Sequence, residues 1–217
     1  MRFETDNGAV DVLPTALTVA GWTGRDVAAV EHHIDELAAL GVPRPSTVPL
    51  YYACAPALLT GASAIDVLGE ETSGEVEPFL LRAGGALWLG LGSDHTDRGL
   101  EATSVAHSKQ ICAKPIAGTL WAFDALAGRL DALELRSWIA GGGGWTLYQE
   151  GTLAAIRPLA ELLAAAPLGE GEAMLCGTLP AIGGVRPAPA WRMELRDPVE
   201  GRAIALEYAV RSLPVRA

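Results

Sequence analysis

A chain of 217 residues is long enough to bury a full core, and the expectation is one domain spanning residues 1–217. Half of the residues are apolar and 19% are charged, which excludes a disordered chain, while 25 Gly and 14 Pro call for many turns. A formal net charge of −10 argues against nucleic acid or a membrane surface as partner. A small anion is still admissible where a cation and a few local Arg or Lys residues dominate the field.

In chain order, residues 1–20 read as one or two short strands with Val10, Val12, Leu17 and Val19 as apolar positions. Gly21-Trp-Thr-Gly-Arg-Asp26 is a turn that supplies an N-cap to a helix over residues 25–40. Its apolar residues Val27, Val30, Ile34 and Leu37 recur at spacings of three and four and predict one buried stripe. His33 and Glu36, three apart beside that stripe, are neighbours on the helix surface, with His32 and Asp35 adjacent to them. Taken alone, the pair describes an exposed polar face. The prolines of residues 41–49 form a linker, followed by an extended segment from Tyr51 in which Tyr52 either lines a pocket or, the preferred reading, fills core. Residues 64–68 read as another short strand.

Glu75 and Glu77 flank Val76 within an apolar run, and on a strand alternate side chains share a face about 7 Å apart. Alone, such a pair fits the wet side of a half-buried strand. Two carboxylates so placed repel each other, and a cation between them would remove the repulsion. Asp94, at the end of the next apolar run, offers a third carboxylate, a ligand set suited to Mg²⁺, Mn²⁺ or Ca²⁺ rather than zinc. Arg82-Ala-Gly-Gly85 predicts a hairpin turn between the two runs. His95 and His107 are expected as hydrogen-bonding partners rather than ligands. Lys109 follows, with Lys114 expected on the surface at the turn before Pro115.

Residues 119–126 read as a short helix and residues 133–139 as an alternating strand. The four glycines of residues 141–144 join two strands and lack the Lys-Ser or Lys-Thr that a phosphate loop needs. Gln149 is a candidate pocket residue, and a helix is expected over residues 152–166. Gly177-Thr-Leu-Pro180 ends a strand in a loop whose backbone N–H groups and Thr178 hydroxyl can approach a ligand closely. Residues 191–197 and 203–210 form a hairpin whose expected core positions are Trp191, Met193, Leu195, Ile204, Leu206, Tyr208 and Val210. Cys54, Cys112 and Cys176 are odd in number, widely spaced and flanked by apolar residues, as reduced buried thiols would be. The first residues lack a basic, apolar leader pattern and no run reaches ~18 apolar residues, so the expected location is cytoplasmic.

The order His33-x-x-Glu36, Glu75-x-Glu77, Asp94-x-x-x-Arg98, Lys109, Gly177-Thr-Leu-Pro180 resembles the fumarylacetoacetate hydrolase (FAH) superfamily over about residues 24–210. The chain departs from the family pattern in having only sixteen residues between Glu77 and Asp94, in the Leu before Pro180, and in a looser match around Gln149. The short gap makes Asp97 a competitor of Asp94; Asp94 is preferred because Arg98 then falls four residues later, as in the family. The resemblance implies an α+β, β-rich fold, a mixed β-roll with peripheral helices. In it residues 1–20 form N-terminal strands, residues 25–49 a lid helix and linker, and residues 50–217 the core. It further implies a metal held by Glu75, Glu77 and Asp94, an acid–base pair of His33 and Glu36, a Lys109 that contacts substrate, and Arg98, Gln149 and Thr178 as substrate-binding residues. The implied activity is hydrolysis of a C–C bond, or decarboxylation, of a small anionic 2-oxo acid or acylpyruvate through a metal-stabilised enolate. Hydration or isomerisation on the same scaffold, or metal and acid binding without catalysis, are the alternatives. A homodimer is implied as well.

Overall fold

The computed structural model of the chain describes residues 1–39 and 44–216, without the side chains of His33, Glu36 and Leu37. It begins with β1 (Arg2–Thr5), β2 (Gly8–Asp11), β3 (Ala16–Gly21), α1 (Val27–Ala39), β4 (Leu50–Cys54), β5 (Leu59–Thr60) and β6 (Ala64–Leu68). Then come β7 (Thr72–Ser73), β8 (Val76–Ala83), β9 (Ala86–Ser93), β10 (Thr96–Asp97), α2 (Arg98–Glu101), α3 (Val105–Gln110), β11 (Lys114–Pro115) and β12 (Thr119–Ala122). The last part holds β13 (Glu134–Gly141), β14 (Gly144–Thr152), α4 (Leu159–Ala165), β15 (Glu172–Leu175), β16 (Ala190–Asp197) and β17 (Arg202–Leu213).

Among the described residues these strands build one eight-stranded sheet, in the order β2-β1-β12-β9-β8-β15-β3-β4, one five-stranded sheet, β14-β13-β16-β17-β6, and two short pairs, β10-β7 and β11-β5. Both large sheets are mixed: β1 with β12, β15 with β3, and β17 with β6 run parallel, and their other neighbours antiparallel. This is the β-rich, mixed architecture expected. Strands β8 and β9 lie at the middle of the larger sheet and are buried on both faces, which is why they read as continuous apolar runs. On one face Leu80, Leu89 and Leu91 share a core with Trp191, Met193 and Tyr208 of the second sheet. On the other, Phe79, Leu81 and Trp88 pack with Phe3, Leu17 and Val19. The β8–β9 hairpin closes through Gly84 (φ 62°) and Gly85 (φ 75°), two left-handed positions that glycine takes without strain.

Three expectations need correction. Residues 119–122 are strand rather than helix, because they pair with both β9 and β1; only Phe123–Leu126 turns, as a 3₁₀ segment. The helix expected from residue 152 starts at Leu159, since Pro158 at its N-cap separates it from a 3₁₀ turn at Leu153–Ala155. Val27 does not join the buried stripe of α1: it is 61% exposed, and Ile34 is the fully buried member among the described side chains. In the C-terminal hairpin the alternation holds, with Trp191, Met193, Leu195, Ile204 and Tyr208 inside, and Val210 only half-buried. Among the described residues no helix is long and apolar enough to cross a membrane.

The cysteines Cys54, Cys112 and Cys176 are free and buried. Burial pushes all three thiols up, Cys112 to about 11. Reaction needs the thiolate, so none should react with a thiol reagent at pH 8 in the native state, and all three should react in guanidinium chloride. A stoichiometric burst in the native protein would contradict the core packing described.

Candidate metal centre

Glu75 and Asp94 stand at the adjoining ends of the central hairpin, where the Asp94 N–H donates to the Glu75 carbonyl at 3.1 Å. The short β7–β10 pair, Ser73 opposite Thr96, holds the two chain segments together just beyond. Glu77, one pleat into β8, projects to the same side. Glu75, Glu77 and Asp94 each offer a carboxylate oxygen, and these atoms all lie within 4.8 Å of one another. Glu77 and Asp94 are buried and Glu75 is half-buried. Asp97, the competing third ligand, faces elsewhere: its carboxylate accepts from the Leu100 N–H at 2.8 Å and caps α2.

Positive charge surrounds the carboxylates. Lys109 Nζ donates to Asp94 Oδ2. Lys114 Nζ lies 2.9 Å from Asp94 Oδ1 and donates to the His95 carbonyl at 2.5 Å. Arg98 Nη2 is within ion-pair distance of Glu75, 3.1 Å, while its Nη1 donates to Glu101 at 2.8 Å and its Nε to the Ser73 hydroxyl at 2.7 Å. Burial opposes ionisation of Asp94, but Lys109 and Lys114 overcome it and hold the carboxyl below its usual range. Glu77 goes the other way. Its burial and the neighbouring charges of Asp94 and Glu75 raise it well above the usual carboxylate range, against Lys109 and a 2.8 Å hydrogen bond from the Gly177 N–H. Lys109 stays protonated despite burial because Asp94, Glu75 and Glu77 face it.

The expectation for Lys114 was wrong. It is fully buried, because β11 pairs with β5 in the interior instead of forming a surface turn. The apolar flanks of Ala113-Lys-Pro-Ile-Ala117 were the available signal. Tyr52 does both things open to it: half-buried, it packs against the core and also lines the cavity beside the carboxylates, its ring centroid 5.9 Å from Lys109 Nζ. His95 is the hydrogen-bonding partner expected, bridging Tyr208 Oη (3.0 Å) and Thr72 Oγ1 (2.8 Å). Burial, with Lys114 and Arg98 nearby, pushes it down to about 3 and keeps it neutral. His107 is exposed on α3. The side chains of His33 and Glu36 lie outside the described residues.

Gln149 and Thr178 both line the cavity and both are engaged within the protein. Gln149 Oε1 accepts from the Val76 N–H (3.1 Å) and the Ser137 hydroxyl (2.9 Å), while its Nε2 donates to Thr178 Oγ1 (2.8 Å) and the Leu179 carbonyl (2.6 Å). The Thr178 hydroxyl in turn donates to the Val76 carbonyl at 2.8 Å. An amide with two lone-pair sites and two N–H groups is thereby saturated, and it works as a strut between β14, β8 and the loop after β15. Gly177 must be glycine: at φ 96° it has left-handed backbone, and a Cβ there would stand 1.6 Å from Thr23 Oγ1.

The donor set fits a hard divalent cation. Two oxygens on one ion can be no farther apart than two bond lengths, about 4.1 Å for Mg²⁺ and about 5 Å for Ca²⁺, and the three carboxylates already approach that limit. Beside them opens a cavity of about 1450 Å³.

Solved structures share this architecture. Cg1458 with inhibitor is 18% identical with a TM-score of 0.66, over 94% of this chain and 79% of that one. The 2-keto-3-deoxy-D-arabinonate dehydratase complexed with magnesium and 2,5-dioxopentanoate is 16% identical with a TM-score of 0.66, over 93% and 74%. Maleylpyruvate hydrolase from Sphingobium sp. SYK-6 is 12% identical with a TM-score of 0.60, over 95% and 74%. At these identities the likeness establishes the fold alone, the β-rich mixed-sheet fold that the resemblance implied. Residues 20–208 match the family described as "Protein of unknown function (DUF2848)", and the chain belongs to that family. A search of curated proteins gives no match.

Removing one partner of a buried ion pair typically costs about 3–5 kcal/mol. Lys114→Met should therefore lower the urea-unfolding free energy by about that amount, and Lys109→Met by less, because Lys109 borders the cavity where water can replace it. A change within about 0.5 kcal/mol for Lys114→Met, as for a surface lysine, would refute its buried role.

Proposed function

We propose that this protein is a divalent-metal-dependent enzyme that hydrolyses a C–C bond of, or decarboxylates, a small 2-oxo acid or acylpyruvate. The observation that carries the proposal is the convergence of carboxylate oxygens of Glu75, Glu77 and Asp94 within 4.8 Å, with Glu75, Glu77, Lys109 and Arg98 lining a large cavity. Two similar structures are named for oxo-acid chemistry, a dehydratase bound to magnesium and 2,5-dioxopentanoate and a maleylpyruvate hydrolase, which supports the substrate class. Mg²⁺ or Mn²⁺ is the proposed cofactor, with Ca²⁺ as the alternative; bound by the three carboxylates, it would polarise the carbonyl oxygens of the oxo acid.

The chain's own residues account for the rest. Lys109 holds a proton and a positive charge at the boundary between Asp94 and the cavity, where an anionic substrate group would meet it. Arg98, tethered by Glu101 and Ser73, adds a second fixed positive charge on the Glu75 side. Gln149 and Thr178 position β8 and the loop over it. His33 is proposed as the base that takes a proton from water or substrate, oriented by Glu36, and an imidazole is suited to that near neutral pH. A homodimer in the cytoplasm belongs to the same proposal.

Turnover of a panel of acylpyruvates and 2-oxo diacids, followed by NMR of the products, tests this reading and separates hydrolysis from decarboxylation, hydration or isomerisation. Activity should vanish on chelation and return with Mg²⁺ or Mn²⁺; undiminished turnover without metal would overturn the mechanism. His33→Ala should lower kcat about 10²–10⁴-fold, the range for losing a general base. Saturating metal, at one hundred times Kd, should stabilise the wild type by about 2.7 kcal/mol and leave Glu77→Gln almost unmoved in a thermal-shift assay.

A further inference from the structure

The segment between β3 and α1 carries the one left-handed backbone found among the described non-glycine residues, Trp22 at φ 61°. A bulky L side chain is strained there, and such strain survives only where the surroundings over-determine it. They do so here. The Thr23 carbonyl accepts from the Arg157 N–H at 2.7 Å, the Arg25 N–H donates to the Ala155 carbonyl at 2.9 Å, and Gly24 bridges Ile156. Thr23 is buried against Gly177, the residue whose N–H holds Glu77.

The product of this strapping is an aromatic wall continuous with the acidic cluster. Trp22 lines the cavity, and its indole Nε1 donates to Tyr52 Oη at 3.1 Å. Tyr52 in turn stands 5.9 Å from Lys109 Nζ, the partner of Asp94. Val30, Val105, Tyr148 and Leu179 extend the apolar lining. The cavity of about 1450 Å³ is larger than the ~300–1,000 Å³ of pockets that hold drug-sized ligands. A head group chelated at the carboxylates would leave most of that space, and the aromatic wall, unused.

Resting on the oxo-acid function proposed above, we infer that the substrate carries an extended apolar or aromatic acyl tail, and that Trp22 determines specificity for it. The left-handed backbone at residue 22 is retained because it turns the indole into the cavity beside Tyr52, where it covers the tail.

The test compares acetylpyruvate, hexanoylpyruvate and benzoylpyruvate with Mg²⁺, by kcat/KM and, independently of turnover, by calorimetry. The wild type should favour a tail-bearing compound over acetylpyruvate by about tenfold or more, the lower end of what one methylene is worth in an apolar pocket. Trp22→Gly, which relaxes the backbone and so retains the fold, should raise KM or Kd for the tail-bearing compounds at least tenfold more than for acetylpyruvate. Trp22→Phe should keep part of the preference. Magnesium-dependent binding that is equally tight for all three compounds, and equally affected by Trp22→Gly, overturns the tail while the oxo-acid reading stands. Tail preference in binding without turnover supports the tail and counts against the reaction. Failure of every compound to bind with Mg²⁺ overturns both.

Discussion

Three carboxylates crowded into the interior set the terms for everything near them. At about 4 Å, two like charges repel by about 4 kcal/mol at the effective dielectric of a protein, and burial adds its own penalty. Arg98 answers Glu75, Lys109 and Lys114 both answer Asp94, and the two lysines are not interchangeable. Lys114 is sealed in the protein and tied also to the His95 carbonyl, so it is a permanent partner of Asp94. Lys109 borders the cavity. A cation arriving at the carboxylates would find Asp94 oriented by the sealed lysine, and it would compete with Lys109 for Asp94 and with Arg98 for Glu75.

The fold delivers these groups through the pairing of β8 and β9. That hairpin is buried on both faces and its register is held by side chains packed on each side, so the side on which Glu77 emerges is fixed by the same packing. Gln149 then links the two sheets, reaching from β14 in the smaller one to the Val76 N–H in the larger. Tyr208, from β17, does the same through Ser93 and His95. The site therefore sits where the two sheets are cross-linked by buried polar groups, and its geometry depends on the core being intact.

Much of this was legible in the residue order. Glu75-x-Glu77 and Asp94-x-x-x-Arg98 carried their meaning because alternation on a strand and a short hairpin are local properties, and local properties survive folding. The glycines at 84 and 85 marked their turn for the same reason. What escaped was decided by distant partners. Residues 119–122 became strand because β1 and β9 flank them. Lys114 is interior because β5, more than fifty residues earlier, pairs with its strand. Gln149 was recognisable as a pocket residue, but only the folded chain shows its amide saturated by Val76, Ser137, Thr178 and Leu179. Nothing in the local sequence around Trp22 signals a left-handed backbone; the ties to Ala155, Ile156 and Arg157 impose it.

The most direct measurement is anomalous diffraction from crystals of the protein soaked in manganese. The account predicts one strong peak in contact with carboxylate oxygens of Glu75, Glu77 and Asp94, with Lys109 withdrawn from Asp94 and Lys114 in place. Full occupancy of manganese elsewhere, or none at all with Lys109 still bound to Asp94, would contradict it.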